Sequence, residues 1–224
     1  MNERLELVQR LEFIKRVSTG KRVLHLGCTN WPYTIEAIDA GTLLHKDLAD
    51  VSRELYGFDY DQEGIDVLAS KGYENLYRAD LENLDEVALD TQFDVIIAGE
   101  MIEHLNNPGR FLHGIKRFMN RETRLVITTI NAYSGMRFLV YGLRGQGGNL
   151  EPVHPDHVSY YSYSTLKLIL QRHGFTIEKF MFYDLGDEHR PHNGRLRNLI
   201  NDVCVKIAPQ WADGVIAVCT LADD

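Results

Sequence analysis

Apolar residues recur along this chain in two rhythms. Near its start Leu5, Val8 and Leu11, together with Leu7 and Ile14, fall at helical spacing among charged positions. That pattern predicts an amphipathic helix over residues 3–17, ended by Ser18-Thr19-Gly20. Arg22-Val23-Leu24-His25-Leu26-Gly27 is instead a short apolar run closed by glycine, which predicts a buried strand feeding a turn. The same grammar returns at Leu55 to Asp59, Asn75 to Asp80, Phe93 to Gly99 and Arg124 to Thr129. Helix-like spacing separates these runs at about 43–53, 61–71, 108–119 and 164–173. Asn107-Pro108 suits an N-cap followed by the first helical position, Ser164 suits a cap for the helix it opens, and His173-Gly174 suits a C-terminal stop.

Strands alternating with helices imply right-handed βαβ units, hence an α/β fold whose doubly wound, mostly parallel sheet is covered on both faces. The C-terminal part departs from that alternation. Strand-like runs at Thr176–Phe182 and Val215–Leu221 flank a helical stretch near 195–207, and no long crossover follows the last run. This predicts an antiparallel C-terminal edge strand and seven strands in all. The expected organisation is an N-terminal helix (1–20) packed on a single domain (21–224). The Gly-rich run Gly142–Gly148 is read as a mobile loop.

Composition narrows the setting. The 224 residues carry 24 Lys and Arg against 32 Asp and Glu, a formal charge of −8, so the long-range field repels polyanions and a nucleic-acid partner is disfavoured. Three cysteines, Cys28, Cys204 and Cys219, form no CxxC array, which argues against structural zinc and for a reducing compartment. The first residues alternate charge with apolar side chains and no run approaches about 18 apolar residues, so a cytoplasmic protein without a membrane span is expected. Oligomeric state is not legible at this level.

In an open α/β sheet, ligands bind beyond the carboxyl ends of the strands, and four such ends look chemical here. They are the turn Gly27-Cys28-Thr29, Asp59 with Tyr60, Asp80 with Leu81, and the stretch Ala98-Gly99-Glu100-Met101-Ile102-Glu103-His104. Any one of them is commonly a plain turn or cap. Taken in order, they resemble the class I S-adenosylmethionine-dependent methyltransferases, whose fold is a seven-stranded sheet of this kind. The resemblance spans roughly residues 20–185. It implies that the Gly27 turn, with Cys28 and Thr29, lies against the methionine part of S-adenosylmethionine. It further implies that Asp59 holds the ribose, that Tyr60 is a cofactor contact, that Asp80 and Leu81 face the adenine, and that Ala98, Gly99 and Glu100 line the floor. His25 stands where that family usually carries an acid. A dinucleotide site would need three glycines and an acid about 20 residues on, and the chain has neither.

Glu100, Glu103 and His104 stand at i, i+3 and i+4, so on one helical turn they would share a face. Two carboxylates and an imidazole suit Mg²⁺ or another divalent ion of similar preference, and His157, or less favourably His154, would complete the set. The E-x-x-E-H pattern with a later histidine resembles the metal-assisted O-methyltransferases. The competing reading leaves out the metal and makes His104 the catalytic base. Asn131, His154, Tyr160 and Tyr161 are candidate acceptor contacts, the tyrosines being equally suited to half-buried packing. Arg137, Arg144, Arg190, Arg195 and Arg197 are further candidates for an anionic group on the acceptor, and 131–165 and 183–214 are the acceptor-side stretches. The expected activity is methylation of a small hydroxylated acceptor, such as a sugar, a glycan precursor or a secondary metabolite. A small-RNA 2′-O-methyltransferase, a nitrogen or carbon acceptor, and a non-catalytic S-adenosylmethionine binder are the alternatives.

Overall fold

The computed structural model describes residues 6–139, 156–184, 186, 190 and 194–222. Its eight strands are β1 (Leu7–Val8), β2 (Arg22–Leu26), β3 (Glu54–Asp59), β4 (Leu76–Arg78), β5 (Val95–Gly99), β6 (Arg124–Ile130), β7 (Phe175–Tyr183) and β8 (Gly214–Leu221). They form one sheet in the order β1-β7-β8-β6-β5-β2-β3-β4. The strands from β2 to β6 pair in parallel, as does β1 with β7, while β8 runs antiparallel to both β6 and β7. The C-terminal strand is thus antiparallel as expected, but it lies inside the sheet rather than at its edge, with both of its hydrogen-bonding sides used.

The central strands read as unbroken apolar runs because both faces are covered. Successive residues of a strand point to opposite sides. Leu24, Leu26, Ile96 and Ala98 pack with Phe58, Phe111, Phe118 and Leu166 on one side. Val23, Val95, Ile97 and Val126 pack with Phe13, Ile14 and Leu48 on the other. The second layer is supplied by α1 (Arg10–Ser18) and, beyond α2 (Thr34–Ala40), by α3 (Leu44–Val51); α4 (Gln62–Ser70) follows β3. The first side is covered by α5 (Pro108–Gly114) and, after the single turn α6 (Gly135–Arg137), by α7 (Tyr163–Arg172). The last helix is α8 (Arg195–Ile207).

The sheet has eight strands rather than the expected seven because β1 joins its edge, and three further expectations are corrected. The first helix begins only at Arg10, because Leu7 and Val8 join the sheet edge as β1, tied by the Phe182 amide donating to the Glu6 carbonyl at 2.9 Å. The helix expected over 108–119 ends at Gly114, where a side chain would press on Leu84, and a 3-10 turn continues from Ile115 to Phe118. The cap of α7 is Ser162 rather than Ser164, in a reciprocal box with Thr165. The Gly142–Gly148 loop and Arg144 lie outside the described residues. Among the described residues, no helix is long and apolar enough to cross a membrane.

Candidate active site

β2 lies between β3 and β5, so the connections leaving its two sides diverge and open a crevice beyond its carboxyl end. Gly27 turns the chain there at φ +74°, a conformation that favours glycine, and its amide donates to the Phe58 carbonyl at 2.8 Å. Asp59, 9% exposed, locks the turn: one carboxylate oxygen accepts from the Thr29 amide at 2.9 Å, the other from the Asp61 amide at 3.0 Å. Asp61 then caps α4 through the Gly64 amide at 3.0 Å. The Thr29 hydroxyl is buried without a hydrogen-bond partner, an unsatisfied group facing no protein donor or acceptor. Tyr60 is exposed, with the Arg78 guanidinium 5.0 Å over its ring. Asp80 forms a turn of its own, accepting from the Glu82 amide at 2.9 Å and from the Asn83 side chain. Leu81 is half-buried, and Ala98 is fully buried. A glycine with left-handed backbone and a fixed carboxylate at adjoining strand ends fit a nucleoside-bearing ligand such as S-adenosylmethionine.

Two residues of this region face inward. Cys28 packs with Ala37, Leu43 and Leu68, so only its backbone borders the crevice, and burial followed by the Asp59 charge pushes its thiol up. His25, on β2, is buried with its Nδ1 3.1 Å from the Nδ1 of His45 on α3. Burial holds both rings below the usual histidine range, His45 at about 4, and the neighbouring His45 ring adds to the depression at His25.

Beyond β5 the chain reaches Glu100 at φ +53°. Its amide donates to the Thr128 carbonyl at 2.9 Å, and its Oε1 accepts from the Tyr183 hydroxyl at 2.6 Å and the Thr128 hydroxyl at 3.1 Å. Arg10 Nε donates to the Thr128 hydroxyl at 3.2 Å and stands 3.8 Å from the same Glu100 oxygen. Its guanidinium also lies 3.5 Å from the place a Gly99 side chain would take. Nearby, Arg137 grips Asp213 through two hydrogen bonds of 2.9 and 3.3 Å.

A 3-10 turn follows at Ile102–His104. Glu103 is fully buried; its Oε2 accepts from the Thr129 hydroxyl at 2.9 Å, while its Oε1 has no hydrogen-bond partner. Burial and the neighbouring Glu100 charge push its carboxyl up to about 8. The Glu103 carbonyl accepts from the amides of Val158 and Ser159 at 2.9 and 3.2 Å, which brings His157 over. The rings of His104 and His157 meet edge to face at 4.6 Å. One ligand-capable atom from each of Glu103, His104 and His157 lies within 4.8 Å of the other two. Glu100 stands outside this group, because the turn at Glu103 is not α-helical and its own left-handed backbone sends its side chain toward Tyr183.

Tyr160 is exposed, its ring 6.3 Å from that of His157. Tyr161 is 6% exposed and belongs to the core. The acceptor contact expected of Asn131 gives way to a structural one: its Nδ2 donates to the carbonyls of Gln210 and Ala212 at 2.9 and 2.8 Å, and its Oδ1 accepts from the Tyr133 amide at 3.0 Å. Arg190 is engaged with Asp184 and Asp202, whereas Arg195 is exposed. His154 lies outside the described residues. The bonds that join Arg10, Thr128 and Tyr183 at Glu100, and Thr129 to Glu103, are not visible in the sequence, where only the polar Thr128-Thr129 end of a buried strand gives a signal.

Residues 3–179 match a family model described as a methyltransferase domain. The ubiquinone biosynthesis O-methyltransferase of Azoarcus sp. (strain BH72) is 27% identical over 128 residues, 55% of this chain and 50% of that protein. The match therefore spans half the length of that curated relative. Among solved structures, a SAM dependent methyltransferase from Archaeoglobus fulgidus is 18% identical with a TM-score of 0.57, covering 94% of each chain. Magnesium protoporphyrin IX methyltransferase from Synechocystis PCC 6803, solved with bound SAH, is 14% identical with a TM-score of 0.59, covering 95% of this chain and 82% of that one. At these identities the two structures establish likeness of fold.

Proposed function

From the premise that the chain belongs to the methyltransferase domain family and takes its methyl group from S-adenosylmethionine, we propose that it methylates a hydroxyl oxygen of a small hydroxylated acceptor beside Glu103, His104 and His157. The observation that carries this reading is the convergence of those three side chains within 4.8 Å, the fully buried Glu103 keeping one carboxylate oxygen without a hydrogen-bond partner. One carboxylate and two imidazoles form an oxygen and nitrogen donor set suited to Mg²⁺ or a related divalent ion. When bound, such an ion lowers the pKa of a coordinated hydroxyl and fixes its oxygen.

The donor's methyl group is already activated, so alignment and loss of one proton are what the protein must supply. The acceptor oxygen forms its bond to the methyl carbon as the sulfur–carbon bond breaks, and the hydroxyl proton leaves. His104 takes that proton where the cluster works without metal. Asp59 and the Gly27 turn hold the adenosine and methionine parts, with Asp80 and Tyr60 on the adenine side. Tyr133 and Tyr160, exposed on the segments after β6 and beside His157, offer aromatic faces to a ring-bearing acceptor. The O-methyltransferase relative supports an oxygen acceptor. Three unpaired, buried cysteines support a reducing, cytoplasmic setting.

The test is metal analysis of the purified protein, then product formation against a panel of catechols, sugars and simple phenols, with and without chelator. Turnover that chelator abolishes and Mg²⁺ or Mn²⁺ restores supports the metal-assisted reading. Turnover insensitive to chelator reduces the cluster to His104 as base, and methylation of amines alone overturns the oxygen acceptor.

A further inference from the structure

Glu100 is a residue whose construction exceeds what a turn requires. It adopts φ +53°, a backbone region in which side-chain-bearing residues are uncommon and cluster at functional sites. Its Oε1 is fixed from two ends of the chain: Tyr183 at the end of β7 and Thr128 on β6 donate to it, and Arg10 at the start of α1 stands 3.8 Å away. Its Oε2 makes no hydrogen bond among the described residues, and the side chain remains 30% exposed. One oxygen is anchored and the other is presented.

What it is presented to follows from register. Leu26 of β2 pairs with Phe58 on one side and Ala98 on the other, so Gly27 emerges between Asp59 and Gly99. Two acidic residues therefore end the strands on either side of the turn, Asp59 on the β3 side and Glu100 one residue beyond the β5 end, the Oε1 of Glu100 being drawn toward β6 and β7. S-adenosylmethionine carries two sets of hydrogen-bond donors that want such acceptors, a ribose diol in one half and an ammonium group in the other. With the adenosine half on the β3 and β4 side, the ammonium falls on the β5 side. No acid on β2 competes for it, since His25 is turned into its buried contact with His45.

We propose that the Glu100 carboxylate receives the α-ammonium group of the methyl donor, with Tyr183, Thr128 and Arg10 as positioning residues that hold it in place. A buried hydroxyl and a guanidinium on one oxygen restrict the carboxylate to a single orientation, and a charge-assisted bond to the ammonium is stronger than a neutral one. The inference rests on the reading of the donor site and is independent of the acceptor and of any metal.

Calorimetric titration in chelator separates the halves of the ligand. S-adenosylhomocysteine carries the amino-acid part; 5′-methylthioadenosine lacks it; a deamino analogue of S-adenosylhomocysteine lacks the ammonium alone. In Glu100→Gln the affinity for S-adenosylhomocysteine is expected to fall at least about tenfold, the scale of a lost charge-assisted hydrogen bond. Affinity for methylthioadenosine and for the deamino analogue should stay within about twofold of wild type. Tyr183→Phe should reproduce the pattern in weaker form, which keeps the test available should the first variant fold poorly. Equal loss for all three ligands, or no loss for any, overturns the assignment. So does a loss seen only when Mg²⁺ is present, which would make Glu100 a metal ligand. Failure of the wild type itself to bind S-adenosylhomocysteine would instead strike at the donor reading beneath the inference.

Discussion

Asp59 engages both carboxylate oxygens with backbone amides before any ligand arrives, and so joins the turn after β2 to the start of α4. Asp59→Ala removes two charge-assisted bonds and the acceptor proposed for the ribose, each bond typically contributing about 1.5–3 kcal/mol. Its expected signature is S-adenosylhomocysteine affinity at least about tenfold weaker in calorimetry, roughly one such bond; an unchanged titration midpoint removes Asp59 from the site. His104 sits on the other side of the chemistry. His104→Ala should abolish turnover while donor affinity stays within about twofold, because the ring faces His157 rather than the Gly27 turn. Gly214 acts from the distant end of the same network, standing opposite Tyr183 in the β7–β8 pairing, where a methyl group would collide with the phenol ring. Gly214→Ala therefore displaces the ring that anchors Glu100. A destabilisation of about 1–3 kcal/mol, the range for overpacking, is expected in chemical denaturation together with weaker donor binding. Native-like stability in that variant would mean that the ring can move aside without loss of packing.

At the level of elements, the capping box that opens α7 also ends the segment carrying His157 and Tyr160. Ser162 accepts from the Thr165 amide while the Thr165 hydroxyl receives the Ser162 amide at 2.8 Å. Ser162→Ala should cost about 1 kcal/mol, or roughly 2–4 °C in the thermal midpoint of a protein this size. A midpoint unmoved in differential scanning calorimetry would show that tertiary packing, not the cap, holds the helix start. These elements differ in how far sequence announces them. β2, β3, β5 and β6 are legible because burial on both faces makes their apolar runs unbroken, and α8 because its spacing is regular from Arg195 to Ile207. β1 is not, since two residues acquire strand geometry only from β7, far along the chain. α2 escapes notice as well, lacking a side-chain cap at Tyr33. The site divides in the same way. Glu103 and His104 announce themselves by spacing, but that spacing assumes an α-helical turn, and the 3-10 turn with Glu100 at φ +53° separates Glu100 from them. Arg10 and Tyr183 reach Glu100 only through the assembled sheet, so no local pattern joins them.

For the molecule as a whole, stability against pH is governed in part by the two buried imidazoles between β2 and α3. With their Nδ1 atoms 3.1 Å apart, one must donate and the other accept, so a proton added to either ring sets two donors against each other. Desolvation adds to that penalty: burial is the first cause of depression at both rings, with His45 and Arg10 adding positive charge around His25, and Tyr73 and Cys28 offering no counter-charge. The unfolded chain binds protons at both histidines near pH 6.5, whereas the folded chain refuses them until about pH 4 at His45 and well below 6.5 at His25. Stability is therefore fully present above about pH 6.5 and declines as pH falls through the window from 6.5 toward 4. At about 1.4 kcal/mol per pH unit, His45 alone contributes roughly 3 kcal/mol of that decline. Carboxylates titrate in the same range, so the measurement is a difference. Urea denaturation of wild type and His45→Asn at about pH 7.5, 6.0, 5.0 and 4.5, spanning that window, should show the wild type losing stability more steeply on acidification, the two curves converging by a few kcal/mol. Parallel curves would mean that the His45 ring is hydrated in solution and that the contact between β2 and α3 imposes no penalty on its protonation.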